Sequence, residues 1–503
     1  MGEYKFKGNV NKEKIFIINK SKISDRIDPD MIKYNREISH FKFPLISLGR
    51  LLIKSPQYGA NEAGIERKNI KIARYIRITD INSYGLLSHK LGKTASKIEE
   101  QYFLKNNDIL FARSGNTVGK SYIHKEKNIN YKCFFAGYMI RFIVDTTKII
   151  PDYLFLYTQL SPYKKWVKAI QRTAGQPNIN AEEYKSLKIP LPPITIQQEI
   201  VDKYQKVYTQ KQQKEKEAKD VLNSIDPYLL NELGITLPKK DNSLEGRINS
   251  NVRFRDLTGS RLDPMLYDKH TLALKDSLKK NNSTKFKTLA LKKLIIKSVA
   301  GDWGIEENNN NNSEIDTHKR CLVIRATEFD NNYNLKLKNS RVKYRLIKKE
   351  KLEKIDIKAN DLLIEKSGGS PNQPVGRISI ITNDIINKHN ICYSNFIHKI
   401  RVNDKIINPK YLFCFLKTIH NIKLTESMQS QTNGIRNLIM ETYFNQTIIL
   451  PIKQNGDIDL KTQNEIANHI SNLRAQAKQL KEEAKSGLEL VKQEIEQLIL
   501  GNK

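Results

Sequence analysis

No Gly-x-Gly, no His-Glu-x-x-His and no Gly-x-Ser-x-Gly occurs anywhere in this sequence. The first absence removes the glycine loop that brings backbone against a dinucleotide. The second removes the zinc-protease helix, and the third the nucleophile elbow of an esterase. The nine histidines show no paired ligand spacing. Four cysteines, Cys133, Cys321, Cys392 and Cys414, show no Cys-x-x-Cys spacing, a pattern that reads as reduced thiols and a cytoplasmic protein. No run of about 18 apolar residues exists, so no membrane contact is expected. The charged opening "MGEYKFKGNVNKEK" is not a secretory signal.

Three near-misses repay a closer look. "SGNTVGKS" (Ser114–Ser121) resembles a P-loop, but Gly115 and Gly119 enclose three residues where the phosphate cradle needs four. "NPKY" (Asn408–Tyr411) has Lys410 where an amino-methyltransferase strand end carries a second proline. "DLLIEKS" (Asp361–Ser367) sets Glu365 directly beside Lys366, without the intervening residue of a nuclease [DE]-x-K. These gaps point away from an enzyme and toward a binding protein.

Acid is the scarce charge. Lys and Arg number 86 against 54 Asp and Glu, a net charge of +32. Such a surface attracts polyanions and speeds encounter with nucleic acid. Hydrophobic residues at 39% still suffice for packed domains, and 503 residues are too many for one core.

Compared with itself, the chain repeats. "DRIDPDMIKY" at Asp25 is answered by "SRLDPMLYDK" at Ser260, and "LGRLLIKSPQYG" by "LKKLIIKSVAGDWG". "RYIRITDI" pairs with "LVIRATEF", "NNDILFARSG" with "ANDLLIEKSG", and "IQQEI" with "TQNEI". The offset grows from 235 (Arg26 to Arg261) to 266 (Ile200 to Ile466), as insertions in loops would make it, the Asn308–Asn312 run among them. The partner of "SGNTVGKS" is the longer "SGGSPNQPVGRIS", with Arg377 for the lysine, and a phosphate cradle does not survive that change of length. What persists is a strand, a polar Ser-Gly turn and a second strand, suited to phosphate or base-edge contacts.

After the proline break "IPLPP" the period becomes helical. Steps of four and three from Ile200 give Tyr204, Val207, Lys211, Lys214, Ala218, Val221 and Ile225. The same steps from Ile466 give Ile470, Leu473, Ala477, Leu480, Ala484, Gly487, Val491, Glu494 and Leu498. Each is a heptad seam seeking a helical partner, and the nearest is the other helix. Each rod is about 45 Å long at about 1.5 Å per residue. Lys211 and Lys214 interrupt the first seam, either solvated, setting register or meeting another protein.

Together these residues resemble the DNA-specificity subunit of type I restriction-modification systems. The features that carry the resemblance are the paired "R-[IL]-D-P" starts, "ND-[IL]-L…SG", the "GQPNI…Y…L.IPLPP…Q.EI" junction and a long helix closing each copy. In the second copy Gly-Gln becomes "SQTNGIRNL", a weaker match. The resemblance implies an α/β (α+β) chain of two similar target-recognition domains, as an internal tandem pseudo-repeat, whose closing helices pair as an antiparallel coiled coil. On this reading the first domain covers 1–192, the first spacer helix 193–235, a linker 236–258, the second domain 259–455 and the second helix 456–503. It further implies a non-catalytic chain that binds double-stranded DNA of split, asymmetric sequence. Its partners would be two modification subunits and the restriction/translocase subunits. No cofactor is expected in this chain; S-adenosylmethionine and ATP/Mg belong to those partners.

Base readout needs Arg or Lys on guanine and Asn or Gln on adenine. The candidates are Arg77, Thr79, Arg113, Ser114, Asn116, Lys120, Gln176 and Asn178 in the first copy. In the second they are Arg325, Thr327, Lys366, Ser367, Gln373, Arg377, Gln431 and Asn437. Other readings are the recognition subunit of a related type II or phage-defence modification system, or a diverged DNA methyltransferase working through "NPKY".

Overall fold

The structure, a computed structural model, describes residues 28–88, 90–171, 177–239, 268–279, 284–307, 317–330, 332–338, 341–369, 373–432 and 435–501. Arg26, Arg261, Gln176, the Asn308–Asn312 run and almost all of the expected 236–258 linker lie outside the described residues. The chain divides into two compact units, Met1–Glu215 with Lys481–Lys503, and Lys216–Leu480. The linear division expected from sequence set the helices apart from the domains, whereas each unit takes a stretch of both long helices.

In unit 1 a four-stranded antiparallel sheet runs in the order Gln57–Tyr58, Met139–Phe142, Ile109–Ala112, Ser121–Ile123. A second sheet pairs Arg74–Ile76 in parallel with Cys133–Phe135. The strands Ile109–Ala112 and Cys133–Phe135 are buried at every position, which is why they read as continuous apolar runs without alternation. Helices Pro151–Tyr157 and Ser161–Ile170, each with a proline in its first turn, join the core of the antiparallel sheet through Tyr153, Leu154, Tyr157, Tyr163 and Trp166.

Unit 2 repeats the plan. Its antiparallel sheet orders Ile295–Ala300, Ile397–Val402, Leu362–Glu365, Ile378–Ile380, and His318–Ile324 runs parallel to Ile391–Tyr393. A small antiparallel pair closes each unit at its helix junction, Leu45–Ser47 with Lys188–Pro190 and Phe286–Ala290 with Thr447–Pro451. The two copies therefore agree in strand order and strand direction.

The junction motif owes its form to buried hydrogen bonds. Gln197, fully buried, accepts from Ile150 N (2.8 Å) and donates to the carbonyls of Pro192 (2.9 Å) and Lys148 (3.2 Å). Its repeat Gln463 accepts from Asn408 N (2.8 Å) and donates to Ile406 O (3.2 Å). In "IPDY" and "NPKY" the tyrosines do the same service, Tyr153 donating to Pro190 O and Tyr411 to Ile449 O, both at 2.7 Å. Asn408 caps its helix, accepting from Lys410 N and Tyr411 N. "NPKY" is thus a helix start with a buried tyrosine, and the methyltransferase reading loses its motif.

The long helices are Ile194–Asn223 and Leu460–Leu500. Within unit 1 they run antiparallel, since Lys203 pairs with Glu494 (2.7 Å) and Lys214 with Glu483 (2.6 Å). Within unit 2, Ile225 and Leu229 share a core with Ile466 and Ile470, Leu473 packs against it, and Tyr228 lies 4.2 Å from the His469 ring. Of the expected seam, Ile200, Ala218, Ile225, Ile466, Ile470, Ala477, Ala484 and Val491 are buried. Tyr204, Val207, Val221, Leu473 and Leu480 are half-buried. Beyond Ala484 every step but Val491 is corrected: Glu494 and Leu498 are exposed, Gly487 is half-buried, and Leu488, Ile495 and Ile499 are buried instead. That end packs into the domain core beside Tyr153 and Trp166, so its buried stripe follows the helix's own period rather than a strict heptad.

Lys211 and Lys214 now have partners. Lys211 lays its stem in the core, its ammonium 4.6 Å above the Tyr84 ring and 2.8 Å from Glu215. Lys214 bonds Glu483.

Candidate nucleic-acid interface

The Ser-Gly turn of unit 1 is held by its own backbone. Gly115 N donates to Pro177 O, Val118 N to Gly115 O, Gly119 N to Ala112 O and Lys120 N to Thr117 O, all at 3.0–3.1 Å. With those amides spent on carbonyls no phosphate cradle remains. Gly115 and Gly119, at φ +81° and +83°, make the tight turn possible.

Strand Ile109–Ala112 delivers Arg113 and Ser114 to the mouth of a cleft of about 640 Å³, which Asn178 also lines. Three stitches fix them there: Arg113 N donates to Tyr138 O (2.9 Å), Ile179 N to Arg113 O (2.7 Å), and Ser114 bridges Asn178. The Arg113 guanidinium lies 4.9 Å over the Tyr58 ring and has no ion-pair partner among the described residues. Tyr58 and Tyr138, 39% and 66% exposed, line the same cleft. The strand bearing Tyr58 comes this close only because Gly59 follows, for a Cβ there would stand 2.4 Å from Ala136 O. Free guanidinium, amide, hydroxyl and aromatic faces together can hold a base edge or a phosphate.

The remaining first-copy candidates scatter. Asn116 is exposed at the tip of the Ser-Gly turn, and Thr79 is exposed on the separate turn Ile78–Asp80. Arg77 is bound to Asp80 through both Nε and Nη2 (3.2 and 3.1 Å). Lys120 is a correction: it turns inward to donate to Ile81 O (2.8 Å), and burial lowers its pKa.

In unit 2, Lys366 N bonds Phe396 O (2.8 Å) and Ser367, buried, donates to the Asn437 amide oxygen (2.6 Å). Arg325 pairs with Glu328 (2.6 Å), and Thr327 is exposed. Gln431 pairs with Arg436 in a hairpin. Arg377 is the larger correction. It is 8% exposed, holds both Glu365 oxygens at 2.8 Å and donates to Phe329 O and Ala326 O (3.3 and 2.9 Å). The Gln373 amide packs on the same guanidinium at 2.9 Å. Ser367, Gln373 and Arg377 therefore act inside the fold. Phe329 takes the place of Ile81 in the repeat, so the cation after "VG" braces one equivalent carbonyl in both copies.

The sequence carried a signal for that brace: Ala112 becomes Glu365 in the copy where Lys120 becomes Arg377. Tyr58, Tyr138 and the paired glutamines carried no such signal, because a lone exposed aromatic or a junction glutamine is ordinary in a single sequence. All four cysteines are buried free thiols, and burial pushes Cys133 and Cys392 up to about 12, well above reactive values. Among the described residues no cluster of His, Cys, Asp and Glu could hold a metal, and no helix is long and apolar enough to cross a membrane.

Residues 59–224 match the family model of the type I restriction modification DNA specificity domain. The chain is 27% identical over 184 residues to the type I restriction enzyme StySPI specificity subunit of Salmonella potsdam, covering 36% of this chain and 39% of that one. It is 23% identical over 154 residues to the EcoBI specificity subunit of Escherichia coli, covering 30% and 32%. The matched stretch thus spans well under half of each relative. A solved S subunit of a type I restriction-modification system from M. genitalium aligns with 94% of this chain and 96% of its own, at 11% identity and a TM-score of 0.40.

Proposed function

We propose, from the premise that the chain belongs to the type I restriction-modification specificity family, that it is the non-catalytic DNA-recognition subunit of such a complex. Each unit reads one part of a split target, and the long helices set the distance between the parts. The chain carries modification subunits, with restriction/translocase subunits joining them. The observation that carries this is the specificity-domain match over residues 59–224, in a chain whose second unit repeats the strand order of the first.

The chemistry divides accordingly. The Lys and Arg surplus supplies sequence-independent attraction to phosphate. Arg113, Ser114 and Asn178 in the cleft, with Asn116 on the same Ser-Gly turn and Thr79 on another, are the residues offered to DNA by unit 1. Lys366, Thr327 and Asn437 are those of unit 2, with Gln176 and Gln431 retained from the sequence alone. Because the loops of the two copies differ, "PQYGANEAGIERKN" against "VAGDWGIEENNNNNSEIDTHKR", the half-sites differ too. Co-expression with its modification subunits in a methylation-free host, followed by single-molecule sequencing, should give one bipartite, non-palindromic adenine motif. A single palindrome, or no new modification, would reject this reading.

A further inference from the structure

The turn that carries Tyr138 at the cleft of unit 1 has a counterpart in unit 2 that sequence comparison left out. Tyr138 and Phe396 occupy the same place on the same turn. Met139 N closes the first turn on Ala136 O and Ile397 N the second on Ser394 O, each at 2.9 Å. Ala136 N reaches Ile76 O (3.0 Å) and Ser394 N reaches Ile324 O (2.9 Å), the ends of the equivalent parallel strands. The carbonyl of each aromatic receives the amide of the cation that ends the neighbouring strand, Arg113 in one unit and Lys366 in the other. A glycine holds the edge strand against each turn: a Cβ on Gly301 would stand 2.2 Å from Ser394 O, as one on Gly59 would crowd Ala136 O.

On this shared frame each unit lifts one large aromatic into solvent, Tyr138 at 66% and Phe396 at 53% exposure. One exposed aromatic needs no explanation. Two at one topological position, each beside a cation without an ion pair among the described residues, in copies that differ elsewhere around them, do. An aromatic tip flanked by a cation suits duplex DNA: the ring meets thymine methyls and base edges while the cation meets guanine or phosphate.

We infer that Tyr138 and Phe396 are the base-contacting tips of the two units, each reading its own half of the split DNA target with Arg113 or Lys366 beside it. This rests on the proposed function and adds which residues determine specificity. Tyr138 carries a hydroxyl that can bond a base edge and Phe396 does not. The removal of that hydroxyl therefore relaxes one position of one half-site.

The test uses the full chain assembled with its modification subunits, and reads both binding to the target duplex and the methylation motif. Tyr138→Ala and Phe396→Ala should each weaken binding to the target about tenfold or more, with far less effect on unrelated duplex. Each should broaden the motif in one half only, a different half for each variant. Tyr138→Phe should keep most affinity and broaden a single position. Ile53→Ala, 59% exposed elsewhere on unit 1, is the control and should change neither. Unchanged motifs and affinities in both alanine variants, or equal weakening on target and unrelated duplex, would overturn the inference while the proposed function stands. Failure of the unsubstituted complex to bind duplex DNA would overturn both.

Discussion

His420 is 7% exposed, between the Pro374 carbonyl 3.0 Å from Nε2 and the Tyr333 hydroxyl at Nδ1. Facing a carbonyl, Nε2 carries the proton, and the Tyr333 hydroxyl, which donates to Asn421 Oδ1 (2.9 Å), lies against Nδ1; burial favours the neutral ring. Burial holds its pKa down to about 4, the Pro374 carbonyl opposing and Arg377 adding to the effect; Lys417, 5.3 Å over the Tyr333 ring, is a further cation nearby. The folded value lies below the unfolded value of about 6.5, so between the two the unfolded chain binds more protons. The neutral ring's contribution is complete above about pH 6.5 and is lost as pH falls toward 4, a difference of roughly 3 kcal/mol at most. His420→Gln should flatten the dependence of the urea midpoint on pH between 6.5 and 4. Some slope will persist, because burial holds His398 at about 4 and His124 below its ordinary value. An unaltered profile would mean that His420 does not contribute to acid lability.

Elements are anchored by residues that periodicity overlooks. The heptad pattern located both long helices, and it placed the seam as far as Ala484 and again at Val491. It failed at Leu488, Ile495 and Ile499, because a pattern assuming one helical partner cannot register a second surface, here the core around Tyr153 and Trp166. Burial of those side chains contributes about 1.5–3 kcal/mol each. "Q.EI" was visible as a repeated word and its purpose was not, since the groups it satisfies lie dozens of residues away. Gln463→Ala would strip Asn408 N and Ile406 O, both half-buried, of their partner. An orphaned group costs about 1–3 kcal/mol when fully buried and less where water reaches it, so with two half-buried groups the variant should lose about 1–3 kcal/mol by denaturant titration. Exposed Gln198, whose side chain bonds Asp202 one turn away, offers the contrast; Gln198→Ala should stay within about 0.5 kcal/mol. Equal losses at the two sites would show that the junction bonds do not matter.

At the scale of the whole chain, duplication was the most legible feature, because it needs no knowledge of structure: insertions shift the offset and leave the strand order intact. Which polar side chain faces outward was far less legible. Lys120 and Arg377 follow the same "VG" and look like DNA contacts, yet both turn in to brace a carbonyl. The same distinction limits how the net charge of +32 is used. Lys399 and Arg401 lie on Asp361, with Arg401 also on Asp356, and Arg141 on Asp108, so these cations are committed inside the fold. The surplus that remains must act on phosphate through counterion release, which makes affinity a steep function of salt. If the assembled protein neutralises about six to ten phosphates, its binding to any duplex should fall about 10³- to 10⁵-fold between about 50 and 200 mM salt. Fluorescence anisotropy on target and unrelated duplexes tests this. The slopes of log K against log salt should be steep and alike on both, because phosphate contacts do not read sequence, while the target curve lies above the other by the contribution of base contacts. A loss below tenfold on either duplex would mean that the basic surface faces partner proteins rather than DNA, and would leave recognition to the candidate base-contacting residues alone.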